Sequence, residues 1–138
     1  MRRFWISILF LAALAAAQSP LHLGLAYAPE PPAALRLQLR RVRGQVQDRE
    51  QLPVEGAALG LFQETGSHEM LAIVVSGNKG KFDFGAKVPP GDYQLVAQYP
   101  GLCTANIPIT LTPAARHDQI VFTMTVPSLG PCSSARVK

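Results

Sequence analysis

Hydrophobic and polar residues alternate with a period of two along most of this chain. Leu35, Leu37 and Leu39 alternate with Arg36, Gln38 and Arg40, the spacing of a strand with one buried face. At Arg40-Arg41 the phase slips, and Val42, Gly44 and Val46 take the other parity. A slip of one residue turns every side chain to the opposite face, so a bulge or short break is expected near Arg41. Ala57, Leu59 and Leu61 alternate again, and a turn at Gly66-Ser67-His68 leads into Met70 to Val75. That continuous apolar run with three β-branched residues predicts a buried strand. Phe82 and Phe84 predict the next strand, Tyr93, Leu95, Ala97 and Tyr99 another, and Ile107, Ile109 and Leu111 a further one. Pro108 interrupts that last run, which points to an edge or a bulge. Ile120, Phe122, Met124 and Val126 share one face of the final strand, which Pro127 ends. The pattern predicts about seven strands, and no stretch beyond the N-terminal leader has a helical period. Strands at intervals of roughly 8 to 12 residues with turns between them make an antiparallel β-sandwich. Val46, Leu59, Leu61, Phe82, Phe84, Tyr93, Leu95 and Ile109 are the expected core.

The first residues do not belong to that pattern. Arg2 and Arg3 precede the uncharged apolar run Phe4 to Leu14, and Ala15-Ala16-Ala17 offers small residues for cleavage before Gln18. This is the make-up of a secretory signal peptide. Its apolar run is shorter than the roughly 20 residues needed to span a bilayer. The expected organisation is a signal peptide over 1–17, a proline-containing lead segment over 18–33, a sandwich over 34–127 and a C-terminal tail over 128–138. The expected location is exported, either periplasmic or extracellular, with no membrane span once the leader is removed. About 120 residues then remain, enough for one domain.

Loss of the leader also changes the charge. The chain has 13 basic and 9 acidic residues, for a net charge of +4. Without Arg2 and Arg3, 11 basic residues face 9 acidic ones and the balance falls to +2. The basicity is therefore not the footprint of a nucleic-acid-binding surface. Arg36, Arg40, Arg41 and Arg43 do cluster and are expected to form a solvated strand face. The two cysteines, Cys103 and Cys132, allow one intramolecular pairing. In an exported chain they are expected to form a disulfide that pins the tail.

Several motifs carry a family resemblance. Gly44-Gln45-Val46 followed by Pro53-Val54-Glu55-Gly56-Ala57 resembles the opening of a carboxypeptidase regulatory-like domain. Gly80-Lys81-Phe82-Asp83-Phe84 and the run from Val88-Pro89-Pro90-Gly91-Asp92-Tyr93 to Ala97 resemble its later strands. The resemblance covers roughly Leu39 to Val126. It implies a seven-stranded prealbumin-like (transthyretin-like) Greek-key sandwich, related to collagen-binding B-type repeats and starch-binding-like domains. The matching residues are turn and core residues, and the family name implies no peptidase activity here.

Sequence motifs for chemistry are sparse. His22, His68 and His117 lie far apart, with no metal-ligand spacing. There is no Gly-x-Ser-x-Gly and no glycine-rich phosphate loop. Glu50, Glu55, Glu64 and Glu69 flank turns and are expected to be surface charges. Transthyretin-like ureide hydrolases carry a histidine-rich signature and a Tyr-Arg-Gly-Ser tail, whereas this chain ends Ser-Ser-Ala-Arg-Val-Lys. The expectation is a module without catalytic, cofactor or metal residues, a monomer or weak oligomer that binds an unknown protein or glycan partner. A carbohydrate-binding role would need exposed aromatic rings. Phe62 and Tyr99 are the candidates for such a platform, with Tyr27 a further candidate.

Overall fold

The computed structural model describes residues 25–27, 36–127 and 132–138. The expected signal peptide, most of the lead segment and His22 lie outside them. Among the described residues nine strands form two sheets. In chain order they are β1 (Leu37–Leu39), β2 (Arg43–Gln47), β3 (Ala58–Gln63), β4 (Met70–Val75), β5 (Lys81–Asp83), β6 (Gly91–Gln98), β7 (Ala105–Leu111), β8 (Ile120–Thr123) and β9 (Ser134–Val137). The larger sheet runs β1-β7-β6-β3-β4 and the smaller β5-β2-β8-β9. The only helical element among these residues is a single 3-10 turn at Asn78–Gly80. The predicted all-β sandwich of two sheets is what the chain forms.

The phase slip at Arg40-Arg41 has a larger consequence than a bulge. β1 pairs with β7 in the larger sheet, whereas β2 pairs with β5 and β8 in the smaller. The chain changes sheets between them, held where the Arg40 N–H donates to the His117 carbonyl at 2.8 Å. The slip accompanies the change of sheet: Leu37 and Leu39 enter the core from one side, Val42 and Val46 from the other. Both N-terminal strands pair in parallel, β1 with β7 and β2 with β8, and the remaining strand pairs are antiparallel.

The core is the expected one with a single change. Leu39, Val46, Leu59, Leu61, Leu95, Ile109, Ile120 and Phe122 are fully enclosed between the sheets, each stabilising the fold by roughly 1.5–3 kcal/mol. Phe84 packs only at the rim, with its ring edge-on to Phe82. Tyr93 buries its ring and donates its hydroxyl to the Pro89 carbonyl at 2.6 Å. Burial pushes its ionisation above the usual value near 10.

Three other expectations change. β4 is an edge strand rather than a buried one; its Leu71 and Val75 are 40% and 62% exposed. The tail contributes β9, whose Ala135 and Val137 pack against the core. Pro108 is not on an edge strand, since β7 lies between β1 and β6. However, β1 reaches only Ile109 to Leu111, so Pro108 sits just beyond its end, where a missing N–H costs no ladder bond to that neighbour.

The crossover from β2 to β3 is closed by one serine. Ser76, at the end of β4 and 2% exposed, donates its hydroxyl to the Val54 carbonyl at 2.7 Å. The same oxygen accepts from the Ala57 N–H at 2.9 Å. Its backbone pairs with Gly56 and Ala57.

Candidate binding face on the smaller sheet

The inward side chains of the smaller sheet are Val46, Phe82, Ile120 and Phe122. Alternation then sends Arg43, Gln45, Lys81, Asp83, Gln119 and Val121 outward. Register aligns two rows across the strands. One contains Asp83 and Arg43, beside Gln119 and Lys138, and the other runs Lys81, Gln45, Val121, Arg136. Between them lies an open cleft of about 450 Å³. Its floor is close-packed because Gly44 has no side chain: a Cβ there would collide with the Ile120 backbone. Gly80, at φ +69, lets the turn before β5 approach the Val46 carbonyl in the same way.

Polar groups rim the cleft. Arg41 holds Asp83 by two bonds of 3.1 and 2.9 Å. Arg43 pairs with the Asp118 carboxylate and donates to its carbonyl. Gln45 is fixed by donating to the Lys79 carbonyl at 2.9 Å. Both rim carboxylates are thus neutralised by arginines. Lys81, Arg136 and Lys138 have no ion-pair partner among the described residues. The arrangement leaves uncommitted positive charge along a face whose outward Val121 is only 4% exposed. The arginine cluster expected to be a plain solvated face is largely engaged instead, Arg36 by a two-oxygen grip on Glu64 at 2.8 and 2.9 Å.

Phe62 and Tyr99 are not brought together. Phe62 lies on the outer side of the larger sheet but is only 5% exposed. Tyr99 continues the inward parity of Tyr93, Leu95 and Ala97, and packs half-buried against the rim of the core. It lines a separate hollow of about 280 Å³ with Gln98, Pro100 and Leu102. Tyr27 is half-buried and stacked on His68. His68 and His117 are exposed and apart. Among the described residues no three His, Cys, Asp or Glu side chains are placed to hold a metal. Cys103 and Cys132 form the expected disulfide, with Cα atoms 5.5 Å apart.

Sequence reasoning does not group Gln119, Arg136 and Lys138, because the four residues of β9 are too short a run to stand out from a tail. The available signal was weak: Ala135 and Val137 alternating with Arg136 and Lys138 over four residues.

Two facing sheets in this strand order, with an open polar face on the smaller one, define a transthyretin-like β-sandwich. Residues 41–125 match the carboxypeptidase regulatory-like domain, and the chain belongs to that family. No curated protein matches the chain in sequence. Among solved structures it is similar to the 5-hydroxyisourate hydrolase of Klebsiella pneumoniae, with 21% identity over 70% of this chain and 96% of that one, at a TM-score of 0.51. It is likewise similar to sea bream transthyretin in complex with thyroxine, with 15% identity over 70% of this chain and 94% of that one, at a TM-score of 0.50. These likenesses establish the shared fold.

The first of them corrects the expectation that the chain is not an enzyme. A hydrolase is built on this sandwich, so neither the fold nor the family separates binding from catalysis. The expectation rested on missing linear motifs. Sites on a sheet face are assembled from strands distant in sequence and leave no such motif.

Proposed function

We propose that this protein is an exported binding module and that the outer face of the smaller sheet receives its ligand, a small polycarboxylate or acidic sugar. The observation that carries the reading is that Lys81 and Lys138 line one cleft, with Arg136 at the end of the row it shares with Gln45 and Val121, while both neighbouring carboxylates are already paired. Unbalanced cations over a concave polar surface raise the local concentration of anions and draw them in. Gln45 and Gln119 add polar groups for orientation. Transthyretin, on the same fold, is solved with a bound small molecule, thyroxine, which supports a sandwich of this kind as a ligand carrier.

Export is supported by the sequence of the leader and by the disulfide, which persists in oxidising compartments. No helix among the described residues is long and apolar enough to cross a membrane.

Titration of the isotope-labelled chain from Gln18 to Lys138 with trigalacturonate, and with maltotriose as the uncharged control, tests the reading. Trigalacturonate is expected to shift the amides of Gln45, Lys81, Val121 and Arg136, and less so as salt rises. Lys81→Glu combined with Arg136→Glu is expected to abolish the shifts. Equal shifts with maltotriose, or shifts elsewhere that survive the double variant, refute the anion site.

A further inference from the structure

The opposite face of the molecule carries a second feature. On the larger sheet Leu59, Leu61, Leu95 and Ala97 point into the core. Gly60, Phe62, Gln94 and Val96 therefore point away from it. Three neighbours on this outer face are nevertheless withdrawn from water: Phe62 is 5% exposed, and Gln94 and Val96 are fully buried. Phe62 and Val96 take no part in the core between the sheets. Something else covers them.

The described part of the lead segment lies over this face. A Leu25 methyl comes within 3.5 Å of where a Cβ on Gly60 would sit, and the Phe62 ring and the Met70 sulfur border the same spot at 3.0 and 3.3 Å. Gly60 is thus a dimple, framed by Phe62 and Met70, against which Leu25 rests. Two residues on, the Tyr27 ring stacks on His68 in the β3–β4 turn, centroids 3.9 Å apart and planes within 9°. Leu25 and Tyr27 are half-buried while Ala26 between them is exposed. Alternate residues therefore grip the sheet.

We infer that the outer face of the larger sheet is an apolar docking surface whose occupant is this chain's own segment Leu25–Tyr27, held as a strap. The surface fits an aliphatic side chain in the Gly60 dimple and, two residues away, an aromatic ring against His68. The strap shields Phe62, which would otherwise join the exposed Met70 and Val75 of β4 in one apolar patch. A segment outside the sandwich thereby controls whether this face is available to another molecule. The inference concerns a different sheet from the anion cleft and stands independently of it.

The chain from Gln18 to Lys138 and two variants test it. In the unaltered protein the His68 ring protons are expected upfield, shielded by Tyr27. Tyr27→Ala should move them downfield with the circular dichroism unchanged. Leu25→Asp should raise the fluorescence of an added naphthalene-sulfonate dye several-fold, as Phe62 and the Gly60 dimple become accessible. Should Leu25→Asp fail to fold, Leu25→Ala read by the same dye replaces it. Unmoved His68 resonances in Tyr27→Ala together with unchanged dye binding in a folded Leu25 variant overturn the strap. Loss of the upfield shift on dilution also overturns it, because the segment would then be docking on a second copy.

Discussion

Replacing Ser76 by alanine is expected to destabilise the domain by about 2–4 kcal/mol, far more than loss of one hydroxyl on a surface. The hydroxyl sits where the chain passes from the smaller sheet to the larger, donating to the Val54 carbonyl and accepting from the Ala57 N–H. Ala57 is fully buried and Val54 nearly so. The substitution leaves a buried donor and a buried acceptor unpaired at about 1–3 kcal/mol apiece, a penalty that already contains the two lost hydrogen bonds. The variant no longer buries a hydroxyl, which returns part of that cost. The remainder is a large share of the roughly 5–15 kcal/mol that holds a typical domain together. For a domain of about 100 residues it corresponds to a fall in Tm of roughly 10–20 °C. Urea denaturation with the disulfide intact measures it, against Ser133→Ala as control. Ser133 also makes two hydrogen bonds, to the Asn106 N–H and side chain, but it is only half-buried, so water can replace them in part and the expected loss is about 1 kcal/mol. A Ser76→Ala loss no larger than that of the control would refute the reasoning.

Two further predictions follow from other positions. Converting both Cys103 and Cys132 to serine opens a loop spanning a sequence separation of 29 and is expected to cost about 3.5 kcal/mol, chiefly through the freer unfolded chain; a loss below about 1 kcal/mol, read by urea denaturation, would contradict a stapling role. Burial raises the ionisation of Tyr93 in the folded state, so below its ordinary value near 10 the phenol is protonated in both states and its contribution is complete. Above that value the unfolded state ionises first and stability declines. Tyr93→Phe should flatten this alkaline decline, and a decline of the same steepness in the variant would show that other groups cause it.

The parity of side chains made much of this fold legible. Tyr93, Leu95 and Ala97 alternate cleanly and line the core as expected, as do Leu59 and Leu61. Parity says that a residue faces inward, but not from which sheet. The change of sheet at Arg40-Arg41 therefore looked like a bulge, and the two parallel pairings of β1 and β2 were invisible. Met70 to Val75 misled for a related reason: an apolar run reads as buried, yet β3 covers only one side of β4, and among the described residues the other side has no strand. The candidate cleft was least legible. It draws on β2, β5, β8 and β9, and their positions carry meaning only once register sets Lys81 beside Gln45 and Val121 beside Arg136. The buried outer-face residue Phe62 was likewise indistinguishable from a core position or an exposed ring, because the Leu25 side chain that borders the same spot at Gly60 is remote from it in sequence.

The parallel pairings of the first two strands also bear on the timing of folding. Leu37 finds its partner at Ile109 and Gly44 at Ile120, so the N-terminal strands wait for the far end of the chain. Closing such long loops is slow relative to local hairpins. The antiparallel set β3, β4, β6 and β7 can assemble first, but β1 and β2 have no complete seat until β7 and β8 have emerged. A chain threaded N-terminus first through a narrow channel would thus remain extended at its leading end for most of its passage. The topology that closes the finished sandwich also postpones its closure.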